Sequence, residues 1–253
     1  MQEDLHRLES WSDRWLLPFN VSKCSMLHIG HNNSQRQYEM SGQPLTELTI
    51  EKDLGVFMDD QLKFRRQAAS AVSKASQILG AIKRTFVHMD KHVLTLLVKA
   101  LVRPHLEYAN VVWGPFNKAD QLLVERVQRR ATKLVPSASP LDYGQRLRLL
   151  KLPSLWYRRK RGDMIFVFKL MHGQLGVRKE EFFMDPPVGI TRGHKFKVGK
   201  PRAVTRARRN HFGVRTVSDW NSLPDWVVDS PSVDSFKNNI DRHWAEHVYT
   251  FPT

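Results

Sequence analysis

The sequence predicts a mainly α chain with a small β hairpin sheet, an α+β fold, on three observations. Apolar residues recur three or four apart over several long stretches, the mark of helices that bury one face. Alternating apolar residues appear in two short segments only, 23–29 and 55–57. A Gly or Asn stands at the boundaries of those segments, which reads as strands joined by turns.

At the start, Leu5, Leu8, Trp11 and Trp15 fall at helical spacing, so a helix feeds the hairpin sheet. Trp11, Trp15, Phe19 and Cys24 read as core residues and not as ligands. A polar interval with Tyr38, Gly42 and Pro44 separates the two strand segments, and Gly55 suits a turn or a close approach without a Cβ. Over 62–86, Leu62, Ala68, Val72, Ala75, Leu79, Ile82 and Phe86 define a long amphipathic helix, with Asp60 as its N-cap. Asp90 caps a second helix over 91–102, which Pro104 ends or kinks. A third helix runs over 119–135, with Leu123, Val127, Ala131 and Leu134 on its apolar stripe. Pro136 and Pro140 mark a joint. Beyond it come a short basic helix over 143–152 and a longer one over 155–172 with Gly173 as C-cap. Residues 191–215 show no clean period and read as an extended basic segment. The chain closes with a turn and a short helix opened by Pro231 or Ser232, docked through Trp220, Leu223, Trp226, Phe236, Ile240 and Trp244. Three regions result: 1–60, 61–136 and 141–253.

An apolar fraction of 41% with 13 Phe and 7 Trp is enough for a core and argues against wholesale disorder. The longest apolar run, 164–168, is far short of a membrane span, so no membrane partner is expected. Asp4, His6, Arg7 and Glu9 interrupt any leader-like N-terminus, and the single Cys24 suits a reducing compartment, nucleus or cytoplasm. A net charge of +15 attracts polyanions, and counterion release makes nucleic acid the default partner.

The candidate phosphate-contacting residues fall in three groups. Arg192, Lys195, Lys197, Lys200, Arg202, Arg206, Arg208 and Arg209 crowd a stretch without acids, and Arg supplies a rigid fork for phosphate. His194, Phe196 and Phe212 interleave with them, to stack on bases or to anchor the segment to the core. Arg126, Arg129, Arg130 and Lys133 lie at i, i+3, i+4 and i+7, which gathers them on one side of a helix. Arg158, Arg159, Lys160 and Arg161 are consecutive, so part of the run faces away from any one partner; it also reads as a nuclear-import-like patch. Cys24 with His28 and His243 with His247 each lack two further ligands for zinc, so no metal site is expected. Glu51, Asp53, Asp59 and Asp60 cluster, but beside a helix start, where Asp commonly caps.

Beyond these patterns, Trp11-Ser-Asp-Arg-Trp15, Phe19-Asn-Val-Ser-Lys-Cys24, Met26-Leu-His-Ile-Gly30 and Lys52-Asp-Leu-Gly-Val56 resemble the end of the palm domain of reverse transcriptases from non-LTR (LINE-type, jockey-like) retrotransposons. The resemblance continues in family order through Arg103-Pro-His-Leu-Glu-Tyr-Ala109, Val127-Gln-Arg-Arg-Ala-Thr-Lys133, Arg161-Gly-Asp-Met164, Thr191-Arg-Gly-His194 and Trp220-Asn-Ser-Leu-Pro224. It implies a residual palm segment, a helical thumb and a basic C-terminal module. It further implies a primer-grip-like role for Lys52, Asp53, Leu54, Gly55 and Val56. The family's RNA-directed DNA synthesis uses two Mg²⁺ held by aspartates in a Tyr-Ala-Asp-Asp type turn. Asp59-Asp60 follows Phe57-Met58 and does not match that turn, so no catalytic residue and no cofactor are assigned to this chain. The implied partners are RNA or an RNA–DNA hybrid, with the remaining polymerase domains or a second copy as further ones. Two other readings stay open: a structural or protein-interaction remnant, and a fragment without function of its own.

Overall fold

The structure, a computed structural model, describes residues 1–30, 32–86, 88–186 and 193–251. They fold mainly into helices, with three two-stranded sheets, an α+β arrangement. The chain separates into two units, Met1–Gln67 and Ala68–Thr253.

In the first unit α1 spans Gln2–Trp15, followed by β1 Ser25–Leu27, β2 Glu39–Met40, β3 Gln43–Pro44, β4 Thr46–Leu48, β5 Ile50–Asp53 and β6 Val56–Asp59. The single hairpin sheet expected from the sequence is absent. Instead β1 pairs with β4 in parallel, Ser25 opposite Thr46, while β2–β3 and β5–β6 form separate antiparallel hairpins. The reason lies in the polar interval. Ser41 and Gly42, at φ 52° and 71°, make a tight turn of their own there, and the chain comes back beside β1 in the same direction.

Gln2 fixes α1 to β2, its Nε2 donating to the Glu39 carbonyl at 3.0 Å and its Oε1 accepting from the Glu39 N–H at 3.1 Å. The core of this unit is small: Met26, Met40 and Leu45 are buried, with Leu5, Val21, Cys24 and Tyr38 packed against them. Trp11, Trp15 and Phe19 do not join it; Trp15 is 62% exposed. The short sheets offer too little apolar surface to cover two indoles. Ser12 is the residue α1 buries instead, with its hydroxyl donating to the Leu17 carbonyl at 2.6 Å.

α2 spans Arg65–Thr85 and begins in the last residues of the first unit. Asp59, and not the expected Asp60, precedes it as the capping carboxylate, accepting from the N–H groups of Gln61, Lys63 and Phe64. α3 is Lys91–Leu97, with Asp90 accepting from His92 and Val93 at its start as expected. The helical path does not stop at Pro104. It passes through a π turn, Val98–Val102, into α4, Arg103–Glu107, where Pro occupies the first turn and its missing N–H costs little.

There follow α5 Asn110–Trp113, α6 Lys118–Ala131, α7 Tyr143–Leu149, α8 Leu155–Met171, α9 Arg206–Asn210, α10 Phe212–Arg215, α11 Val217–Asn221, α12 Asp225–Val228 and α13 Val233–His243. The stretch expected to be extended is therefore helical in part. Thr205 caps α9 through the Arg208 N–H, and α10 buries Phe212 and Val214. Ser232 opens α13 by accepting from the Ser235 N–H. α8 is the axis of this unit, packing against α5, α6, α11 and α13. Its core includes Met164, Val167, Phe168, Trp220, Phe236 and Ile240, each 1% exposed or less.

Candidate nucleic-acid interface

Helix α6 buries Val124, Val127 and Ala131, which turns Arg126 and Arg130 outward, and Lys133 follows them in the 3₁₀ turn Thr132–Leu134. Arg129 is half-buried, its guanidinium 4.7 Å from the Tyr143 ring centre, where a cation and a π face attract. Arg130 Nη2 donates to Ser76 Oγ at 2.7 Å, which fixes its direction.

Two adjoining clefts share Arg130 and Lys133. The first, about 740 Å³, places Lys83, Arg130 and Lys133 beside Leu79, Phe86 and Leu134. The second, about 490 Å³, gathers Arg126, Arg129, Arg130, Lys133 and Arg146 over Val72 and Leu123. Among the described residues no carboxylate lines either cleft. Arg146 is buried beneath the second; its Nε donates to Thr132 Oγ1 at 2.9 Å and its Nη1 to the Leu141 carbonyl. The arrangement is a run of forked and point donors with apolar walls, suited to phosphates that carry a flat or apolar neighbour.

The spacing of the sequence singles out the α6 stripe but not Lys83 or Arg146. Lys83 stands on the polar side of the 62–86 helix, among other basic residues. Arg146 gives no local signal, since only the tertiary packing of α7 brings it under α6.

The run from Arg158 to Arg161 is placed differently, along α8 and against carboxylates from distant segments. Arg158 makes a two-pronged bond to Glu107, whose Oε1 also lies 3.6 Å from Arg103 Nε. Burial and the neighbouring Arg158 bring the Arg103 guanidinium down to about 10. Lys160 pairs with Asp219 at 2.8 Å. Arg161 grips Asp241 at 2.5 and 2.9 Å, and the same carboxylate accepts from the Tyr157 hydroxyl at 2.5 Å. Burial and that carboxylate push the Tyr157 hydroxyl above its ordinary range. Arg159 is buried and its Nη atoms bond to none of these acids.

In the C-terminal stretch, Arg192 lies outside the described residues. Lys195 pairs with Asp229 at 3.2 Å, and Lys200 donates to Ser218 Oγ at 2.8 Å. Lys197 is half-buried. Arg206 donates to Asn117 Oδ1 and lies 5.4 Å from the Phe116 ring centre. Arg202, Arg208 and Arg209 are exposed. The interleaved rings belong to the core. His194 is buried, with Nε2–H donating to the Trp220 carbonyl at 3.0 Å, and Trp220 Nε1 donates in turn to the Phe196 carbonyl at 2.7 Å. Asn221 completes the clamp, accepting from the Val198 N–H and donating to the Val198 carbonyl. Two of the sequence blocks, 191–194 and 220–224, thus meet in space through His194 and Trp220.

Lys52, Asp53, Leu54, Gly55 and Val56 form the β5–β6 hairpin. Leu54 and Gly55 occupy its two-residue turn at φ 43° and 85°, both left-handed. Lys52 and Arg66 lie 5.3 and 5.0 Å from the Phe57 ring centre, and Val56 is buried. No group of three or more His, Cys, Asp or Glu gathers among the described residues, and none of their helices is long and apolar enough to cross a membrane. A scan against protein-family models, and comparisons with curated proteins and with solved structures, found no match to this chain.

Proposed function

We propose that this chain binds nucleic acid, RNA or an RNA–DNA hybrid, through the paired clefts along α6, as the C-terminal part of a reverse transcriptase of the non-LTR type. One observation carries the reading: Lys83, Arg126, Arg129, Arg130, Lys133 and Arg146 line two adjoining clefts without a carboxylate among the described residues. In this reading the β5–β6 hairpin is the primer-grip-like segment, the helices from α2 to α6 are thumb-like, and the residues from 141 onward form the basic C-terminal module. Arg202, Arg208 and Arg209 extend the contact. Arg158, Lys160 and Arg161 hold α8 in place and do not face the ligand.

The Mg²⁺ of the resembled polymerases does not fit the carboxylates of this chain. Among the described residues, Asp59 is committed to three backbone N–H groups, and Glu51, Asp53 and Asp60 do not gather with it. No nucleotidyl-transfer step is assigned to this chain.

The test is binding of a fluorescent RNA–DNA hybrid to the purified chain. Arg126→Gln, Arg130→Gln and Lys133→Gln together should weaken it by about tenfold or more, as removal of several phosphate contacts does. A second reading, docking of a protein partner, is favoured by the exposed Leu8, Trp11, Trp15, Leu16 and Leu17 at the end of α1. Hybrid binding that is absent, beside self-association or capture of a partner that Trp11→Ser and Trp15→Ser abolish, would favour that second reading.

A further inference from the structure

Arg159 is 8% exposed, and its Nη1 and Nη2 have no hydrogen-bond partner among the described residues. A guanidinium so deeply placed ordinarily sits against a carboxylate, because burying an unpaired charge is costly. The other basic residues of the 158–161 run each have one: Glu107 for Arg158, Asp219 for Lys160 and Asp241 for Arg161. Arg159 instead lines a cavity of about 200 Å³, together with Asn110, Lys160, Asp163, Arg215 and Asp219.

The charges around that cavity do not cancel. Arg215 is held by Asp163 at 3.0 Å and Lys160 by Asp219, which leaves the Arg159 charge over. Burial pulls the Arg159 guanidinium down, while Glu125, Glu107 and Asp163 act through space to keep it charged. Asn110 Oδ1 is a second buried atom on the cavity without a partner, and it is an acceptor. A ligand that answers both atoms brings an oxyanion for the guanidinium and a hydroxyl for the amide oxygen. A protonated phosphate carries both on one centre; sulfate and acetate, ionised at neutral pH, carry no such hydroxyl. Pro115, Phe116 and Trp156 complete the wall.

We infer that the cavity beside α8 is a binding site for a phosphate group, with Arg159 as its fork and Asn110 Oδ1 as acceptor of its P–OH. The site shares no lining residue with the clefts along α6, so it stands or falls apart from the nucleic-acid reading.

The experiment is a thermal-unfolding titration of the full chain with inorganic phosphate at constant ionic strength, with sodium sulfate in parallel. The wild-type midpoint should rise saturably with phosphate and by less with sulfate. Arg159→Lys keeps the charge but loses the fork, so its half-saturating concentration should rise by about tenfold. Arg159→Met should abolish the phosphate effect and leave the phosphate-free midpoint unchanged or higher, since an uncompensated buried charge has gone. Should Arg159→Met fail to fold, ³¹P line-broadening in wild type against Arg159→Lys decides. The inference is overturned by no phosphate effect in the wild type, by equal effects of sulfate, or by full retention of the effect in Arg159→Lys. Retention in Arg206→Gln, Arg208→Gln and Arg209→Gln together supports it, because those arginines lie outside the cavity.

Discussion

At the scale of single residues, the most consequential side chain in the second unit is Glu125, which is wholly buried. Its Oε1 accepts from the Tyr143 hydroxyl at 2.5 Å and from the Leu155 N–H at 3.1 Å, and its Oε2 accepts from the Trp156 N–H at 3.1 Å. A carboxylate from α6 therefore caps α8 and fastens α7 to both. Removing it leaves buried donors without partners, so Glu125→Ala should cost about 3 kcal/mol in urea unfolding. Glu125→Gln keeps an acceptor and should cost less. A loss below the scatter of ordinary surface substitutions would contradict this role. Histidines set the pH dependence. Burial holds His194 below its ordinary 6.5, with Lys197 adding to the effect, and burial with Arg208 and Arg215 does the same to His211. Each has a folded pKa below its unfolded one. Their contribution is present above 6.5 and lost as pH falls through the folded values. The thermal midpoint should drop between pH 7 and the acid side of that window, and His194→Asn should flatten part of the fall. A midpoint insensitive to pH across it would show that neither ring stays neutral in the fold.

Among elements, the β5–β6 hairpin carries a local conflict. Its turn needs two left-handed residues, and the first is Leu54, which is 84% exposed at φ 43°. A β-carbon with a bulky side chain is strained there, so Leu54→Asn should stabilise the fold by about 1 kcal/mol. Gly55→Ala, at φ 85°, should destabilise it by about as much or more. Chemical denaturation of both variants checks the pair, and a destabilising Leu54→Asn would mean that Leu54 makes contacts that outweigh the strain. The same elements show what local sequence can reveal. The helices are legible because their apolar stripes repeat at helical spacing and Asp90 and Ser232 announce two of the starts. The parallel partner of β1 is not, since it lies beyond an intervening hairpin and depends on where that hairpin returns the chain. Periodicity puts the charged run on the α8 helix, where the structure has it. Its partners come from positions 107, 219 and 241, which no spacing rule connects to it. The α6 stripe is readable from i, i+3, i+4 and i+7, whereas Arg146, which completes the cleft, becomes visible only with the packing.

For the molecule as a whole, the two units differ in the core each builds. Met1–Gln67 has three buried residues in its cluster, two of them methionines. Ala68–Thr253 closes around Trp113, Trp220, Phe168, Phe236 and Tyr157, all 2% exposed or less. Opening free energy follows buried apolar contact, so backbone amides of β2 to β4 should exchange with solvent well ahead of those of α6 and α8. Equal protection in both units, read by hydrogen-exchange mass spectrometry, would contradict that ranking. If the clefts along α6 grip phosphates, the net charge of +15 has a partner there, and binding releases counterions in proportion to the contacts made. The measurement that tests this most directly is the affinity of the folded chain for an RNA–DNA hybrid across a salt series. Log affinity should fall linearly with log salt, and Arg126→Gln with Arg130→Gln and Lys133→Gln should flatten that slope by about 2 to 3 units. A slope unchanged by those substitutions, or no binding at low salt by a folded sample, would contradict the α6 clefts as the nucleic-acid surface.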